Sequence, residues 1–412
     1  MKSLNLLILV TLFLSCNSNK KKPVQHKKED KIVHVIDFPG DIKSELPHLT
    51  SNHNSLMLSW VTRITDSTTQ FNYSSLVNQK WGTPKTIITG TNWFVNWADY
   101  PSITANNGTL LSHFLKKSSE DTFAYDIKLN LLSEDASDWQ TELPLHTDGT
   151  KTEHGFVTVL PLKENSFFVT WLDGRDMAMD HEGEHMNHNG NMSIRAAEVS
   201  QDGVISNQIL LDGKTCSCCQ TTAAITSQGP IVLYRDRTDE EIRDIAITRY
   251  TNGTWTEPQF IHNDGWQING CPVNGPKVDA IDNTVAVSWF TAAHSTPLVK
   301  LVFSENGGAE FSEPIIISDA AVLGRVDIEL IDHEQAIVSW METEDNTTYL
   351  KAMKVNKSGV KSMPISISAL NDSRKTGFPQ MQYKGDNMYF AWTSIENDIP
   401  TIKTVFVPIE QL

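Results

Sequence analysis

Beyond residue 14 this chain has no apolar run long enough to cross a bilayer, so the remaining sequence offers no transmembrane helix. Positive charge is also in short supply. Against 50 acidic residues stand 34 basic ones, a net charge of −16, and the bases are scattered apart from a Lys-rich stretch before residue 30. That balance argues against nucleic acid as a partner, because phosphate binding needs a concentrated basic face. Cysteines are few: Cys16, then Cys216, Cys218, Cys219 and Cys271. Three sulfurs within four residues make an awkward disulfide framework, since adjacent cysteines close only a strained ring. Two readings stay open: one of the three bridges Cys271, or the thiolates hold a metal.

What the sequence does have is a repeat. A short β-rich run recurs seven times, ending at Trp60, His113, Trp171, Tyr234, Trp289, Trp340 and Trp392, at spacings of 53, 58, 63, 55, 51 and 52 residues. A period of that size with several strands per unit predicts an all-β chain, a seven-bladed β-propeller of four-stranded blades over residues 31–412. The recurring aromatic is then inter-blade packing. The last copy offers three strands, 378–383, 387–393 and 401–407, while a spare alternating segment, 31–38, precedes the first. Pairing the two completes the last blade and leaves no open sheet edge. The molecule reads as a monomer.

The N-terminus reads as an address. Residues 1–15 are basic then apolar, too short to span a membrane comfortably, and resemble a signal peptide. Ser15-Cys16 resembles the cleavage box of bacterial lipoproteins, which makes Cys16 the lipidation site and residues 16–30 a polar tether. The expected location is the cell envelope, with the lipid as the only membrane contact.

In a propeller, the links between blades and the links between second and third strands of each blade open on one face. The inter-blade links carry Glu153-His154-Gly155, Cys216 to Gln220, Cys271 to Pro276 with Asn274, and Leu323-Gly324-Arg325. The cysteines begin neighbouring blades, so they should meet in space. The longest intra-blade link, 177–192, holds Met177, Met179, His181, His185, Met186, His188 and Met192. Thiolate, thioether and imidazole suit a soft metal, copper(I) above all. The expected metal residues are therefore Cys216, Cys218, Cys219, Cys271 and His154, with the Met/His loop capturing or capping. A second pattern competes. Arg175, Arg235, Arg237, Arg243 and Arg325 fall on the same face, and guanidinium forks around one opening suit a small anionic ligand, with Asn274 beside them. The alternating Arg235-Asp236-Arg237 and Arg243-Asp244 read equally well as ion pairs stitching blades.

Ser304-Glu305-Asn306-Gly307-Gly308-Ala309-Glu310-Phe311 resembles the Asp-box of sialidases and related BNR-repeat propellers, with Asn306 where aspartate is usual and Phe311 where tryptophan is usual. Partial echoes stand at Asn252-Gly253-Thr254-Trp255 and Gln79-Lys80-Trp81. The string from Tyr234 to Pro276, with Cys216 to Gln220 before it, is similar to a group of exported bacterial propellers labelled sialidase-like. The resemblance implies a glycoside hydrolase of sialidase type: an arginine group gripping a carboxylate, a tyrosine nucleophile and an aspartate acid. Here those roles would fall to Arg175, Arg235 and Arg325, to Tyr234, and to Asp173 or Asp236. At the place of the family's first arginine this chain has Glu45-Leu46-Pro47-His48. A non-enzymatic propeller that binds a ligand or a protein is the third expectation.

Overall fold

The computed structural model describes residues 32–51, 55–177 and 190–412. The signal segment, the tether and Cys16 lie outside them, as do Met179, His181, His185, Met186 and His188. Among the described residues, thirty strands form seven antiparallel sheets. In chain order the blades span residues 44–91, 102–144, 154–215, 222–260, 277–318, 321–370 and 380–408. Among the described residues, no helix is long and apolar enough to cross a membrane.

The core is divided by the blades. Each of seven hydrophobic clusters fills one wedge between neighbouring sheets. The repeat residues Trp60, His113, Trp171, Tyr234, Trp289, Trp340 and Trp392 sit on second strands, none more than 4% exposed. Trp171, for example, packs with Leu111, Leu115 and Ile127 of the preceding blade. Burying an indole leaves its N–H to satisfy, and three blades do this alike. Trp171 donates to Asp173 (2.8 Å), Trp289 to Asp264 (2.7 Å) and Trp340 to Glu342 (2.8 Å). Opposite each Trp on the third strand stands a cation, Arg195, Lys300 or Lys351, which faces the same carboxylate. A buried polar group costs unless it is bonded, so the acid and the cation accompany the Trp.

The ring closes as the sequence predicts, through a shorter strand. His34–Ile36 pairs antiparallel with the last long strand, His34 opposite Phe406 and Ile36 opposite Thr404. The two long strands of that blade meet at a tighter turn than residues 396–400 suggested. Ile399 and Pro400 pair with Glu396 and Ile395, leaving Asn397 and Asp398 as a two-residue turn at φ +51° and +63°. Both tolerate the left-handed region that such hairpins need. The Asp-box-like turn does lie between the two outer strands of its blade, Leu298–Ser304 and Ile315–Ser318. Its two echoes each form a two-residue extra strand, Lys80–Trp81 and Thr254–Trp255.

Candidate metal centre

The link before the fourth blade is a tight turn that curls three sulfurs together. The Cys216 N–H donates to the carbonyl of Arg235 at 3.0 Å, pinning the start of the turn to the next blade. The Gln220 side chain pins its end, donating to the Ala98 carbonyl (2.7 Å) and accepting from Gly275 N–H (3.1 Å). Gly275 passes so close to Gln220 that a Cβ there would lie 2.1 Å from its carbonyl oxygen. This holds the Cys271 link against the Cys216 link. The Cys216 sulfur lies 3.7 Å from Cys218 and 3.5 Å from Cys219, and all three can offer one ligand atom to a common ion. Cys216 and Cys219 are buried, Cys218 is half-buried and Cys271 is exposed; all four are free thiols. Cys271, on the adjacent link, stands outside that three-sulfur group, close enough to Cys218 for the two thiols to influence each other.

The surroundings favour a thiolate. Hydrogen bonding with Cys218 and Cys219, together with Arg243, holds Cys216 well below the usual thiol range. The hydrogen bond from Cys218 lowers Cys271 to about 7, whereas burial pushes Cys219 up to about 12. Arg243 keeps a buried Nε with no hydrogen-bond partner beside these sulfurs. Across the cluster, burial raises Glu153 to about 7 despite the Tyr125 hydroxyl that donates to it at 2.6 Å, and Cys271 and Cys216 add to the rise. Glu153 belongs to an inter-blade link and could have been singled out on that ground. Tyr125 carries no sequence signal.

The arginines are otherwise engaged. Arg235, 1% exposed, gives its guanidinium to the carbonyls of Asn274, Arg243 and Phe290 and stacks on Trp266. Arg325 bonds the carbonyls of Gly377 and Ser373 and stacks on Trp97. Asn274 ties neighbouring links, accepting from Arg325 N–H at 2.7 Å. Arg237 and Arg243 pair with Glu241, and Arg175 clamps Asp173. Expected as a carboxylate clamp, Arg235 bonds backbone carbonyls through Nε and both terminal nitrogens, and Arg325 does so through its two terminal nitrogens. Tyr234 is buried with its hydroxyl donating to Asp212 at 2.7 Å, and burial first and then that acid hold it above the usual phenol range. Asp173 is fully buried in the Trp171 staple. Asp236 is pushed up to about 6, by burial first and by Asp212 and Asp244.

His154 does not join the sulfurs. It stacks on His146 at 3.9 Å, among Asp126, Asp148 and Asp173. Met177 is exposed at the start of the Met/His loop, and Met192 at its end is buried in the core. Along the ring axis the inner strands line a cavity of about 1100 Å³. Lys277 there reaches Tyr100 at 3.5 Å and Asp327 at 3.9 Å.

No family model and no curated protein matches the chain in sequence. Solved structures do match in shape. A polysaccharide lyase described as an ulvan lyase aligns at TM-score 0.55 and 11% identity, over 92% of this chain and 94% of that one. A protein of unknown function from Dyadobacter fermentans aligns at 0.51 and 11%, over 92% and 98%. A mutant of the NanB sialidase from Streptococcus pneumoniae aligns more loosely, at 0.47 and 13%, over 92% and 71%. The chain shares the β-propeller fold with the lyase and the Dyadobacter protein, and likeness at such identities speaks to fold alone.

Proposed function

We propose that this chain is an envelope lipoprotein whose propeller carries a soft-metal centre on its link face, with copper(I) as the metal and Cys216, Cys218 and Cys219 as its core ligands. One observation carries the reading: three sulfurs from one turn spaced at 3.5 and 3.7 Å. A metal–sulfur bond of about 2.3 Å sets tetrahedral sulfur–sulfur edges of about 3.8 Å, so little movement is needed to load an ion. A sulfur-only, mostly buried donor set favours copper(I) over harder ions. Arg243 offsets the charge of the thiolates, and Cys271 is the outer, exchangeable ligand. The thioethers and imidazoles of Met177, Met179, His181, His185, Met186 and His188 collect the metal. Full-length protein loaded with copper(I) should retain it through dialysis under reducing conditions, and Cys218→Ser with Cys219→Ser should lose it. Removing residues 178–189 should slow uptake more than it reduces retention. Protein that ignores copper, with its cysteines oxidised in pairs, would overturn the reading. Cys16→Ser should release the protein from the membrane fraction; if it stays bound, the lipid anchor is wrong.

A second reading is a carbohydrate-active enzyme. The large inner cavity favours it, and so does a fold shared with a polysaccharide lyase. It would work from Lys277 and Tyr100 in the cavity, not from Arg235, Arg325 and Tyr234. Copper-independent cleavage of an acidic polysaccharide, lost in Tyr100→Phe, would put it first.

A further inference from the structure

The group around His154 has the form of a second metal site, separate from the sulfurs and of different hardness. His154 is fully buried, and its Nδ1–H faces the carbonyls of Tyr125 and Thr152, each at 3.2 Å. That contact fixes the tautomer, so Nε2 carries the lone pair. Nε2 has no hydrogen-bond partner. It lies 3.4 Å from Asp148 Oδ2 and 3.6 Å from Asp173 Oδ1. A protonated imidazole bonded to a carboxylate would close to about 2.7–2.9 Å. Separations of about 3.4 Å are instead the edges of a coordination tetrahedron with bonds of 2.0–2.2 Å.

The outer contacts also fit. Metal-bound histidines usually donate their other nitrogen to a carbonyl or carboxylate, which orients the ring. Asp148 Oδ1 is held by Thr150, and its Oδ2 takes His146 Nδ1 at 2.7 Å. His146 accepts from Ile127 N–H on its other nitrogen, so it acts as a buttress. Asp173 is bonded by Trp171 on Oδ2 and by Arg175 on both oxygens. Arg175 and Arg195 oppose a cation: Arg175 Nη2 also lies 3.5 Å from Asp148, and Arg195 Nε lies 3.9 Å from Asp173. The two guanidiniums balance the two carboxylates, so a cation enters the site by displacing Arg175. Arg175 is a fifth exposed in its side chain, so it can move aside.

We infer that His154, Asp148 and Asp173 form a binding site for a small divalent cation of the zinc type, independent of the cysteine centre. One imidazole and two carboxylates are borderline-to-hard donors, unlike the soft sulfurs. The site and the copper reading fail separately.

The test uses the full chain with its thiols first loaded with copper(I), then titrated with zinc by calorimetry and with cobalt(II) as a spectroscopic stand-in. One further zinc should bind per chain. Asp148→Asn should weaken it roughly 100-fold or more, since a direct ligand counts for more than an outer partner. Arg175→Gln should tighten it by removing the competing cation. The cobalt spectrum should show ligand-field bands without sulfur charge transfer. Asp148 reaches the surface, so Asp148→Asn decides the matter even if His154→Gln fails to fold. Should copper fail to load, the comparison of wild type with Asp148→Asn still decides. Wild-type protein that takes no zinc, or zinc binding unchanged in Asp148→Asn, would overturn the inference and leave a cluster held by its arginines alone.

Discussion

At the scale of single residues, the chemistry-bearing types were visible in sequence and their duties were not. Arg235 is the clearest case. An arginine on the link face suited an anionic ligand, but its partners are carbonyls of residues 243, 274 and 290, which no local pattern announces. Arg235→Met should therefore orphan buried carbonyls and cost about 3–5 kcal/mol of stability, at roughly 1–3 per unsatisfied group. Denaturant unfolding would measure it; an unchanged midpoint would return Arg235 to ligand binding. Asp236 gives a pH signature. Its carboxyl rises from 3.8 unfolded to about 6 folded, chiefly through burial. The folded chain thus holds the proton more tightly, so this group's contribution falls as pH rises from about 4 to 6 and stays unfavourable above. Asp236→Asn keeps an oxygen for the Arg237 N–H and should stabilise the protein by about 1–3 kcal/mol at pH 7. The gain should fade by pH 4; a gain independent of pH would contradict this cause.

At the scale of elements, alternation and turn chemistry placed the strands to within a few residues. The final blade was expected at 378–383, 387–393 and 401–407, and its strands run Gln380–Lys384, Asn387–Glu396 and Ile399–Pro408. The misses are at turns, where Asn397-Asp398 alone reverses the chain and Pro400 stays in the strand. Pro400 has no N–H to give, but its carbonyl accepts from Lys43 N–H at 2.9 Å, which no strand pattern foretells. The closing strand is short and pairs through His34, Val35 and Ile36 with residues 404–406 of a last strand ten residues long. Deleting residues 32–38 should expose that strand's edge and cause aggregation, visible by light scattering. A monomeric deletion variant of unchanged stability would show that closure does not depend on His34–Ile36.

At the scale of the whole molecule, the ring turns distance in sequence into neighbourhood. The repeat alone implied that Cys216 to Cys219 and Cys271 begin adjacent blades, and the two links do lie against each other through Gln220 and Gly275. The same reasoning put His154 with the sulfurs, and there it fell short. Period fixes which links share a face but not which way a side chain turns, and His154 turns toward Asp148 and Asp173. The central claim is that three sulfurs of one turn hold a soft ion. Copper K-edge X-ray absorption on copper(I)-loaded full-length protein tests it most directly. The expected result is a single shell of three sulfurs at about 2.3 Å, the length thiolates take on such ions, with one sulfur lost in Cys218→Ser. A shell of nitrogen and oxygen alone, or no bound copper to observe, would contradict it.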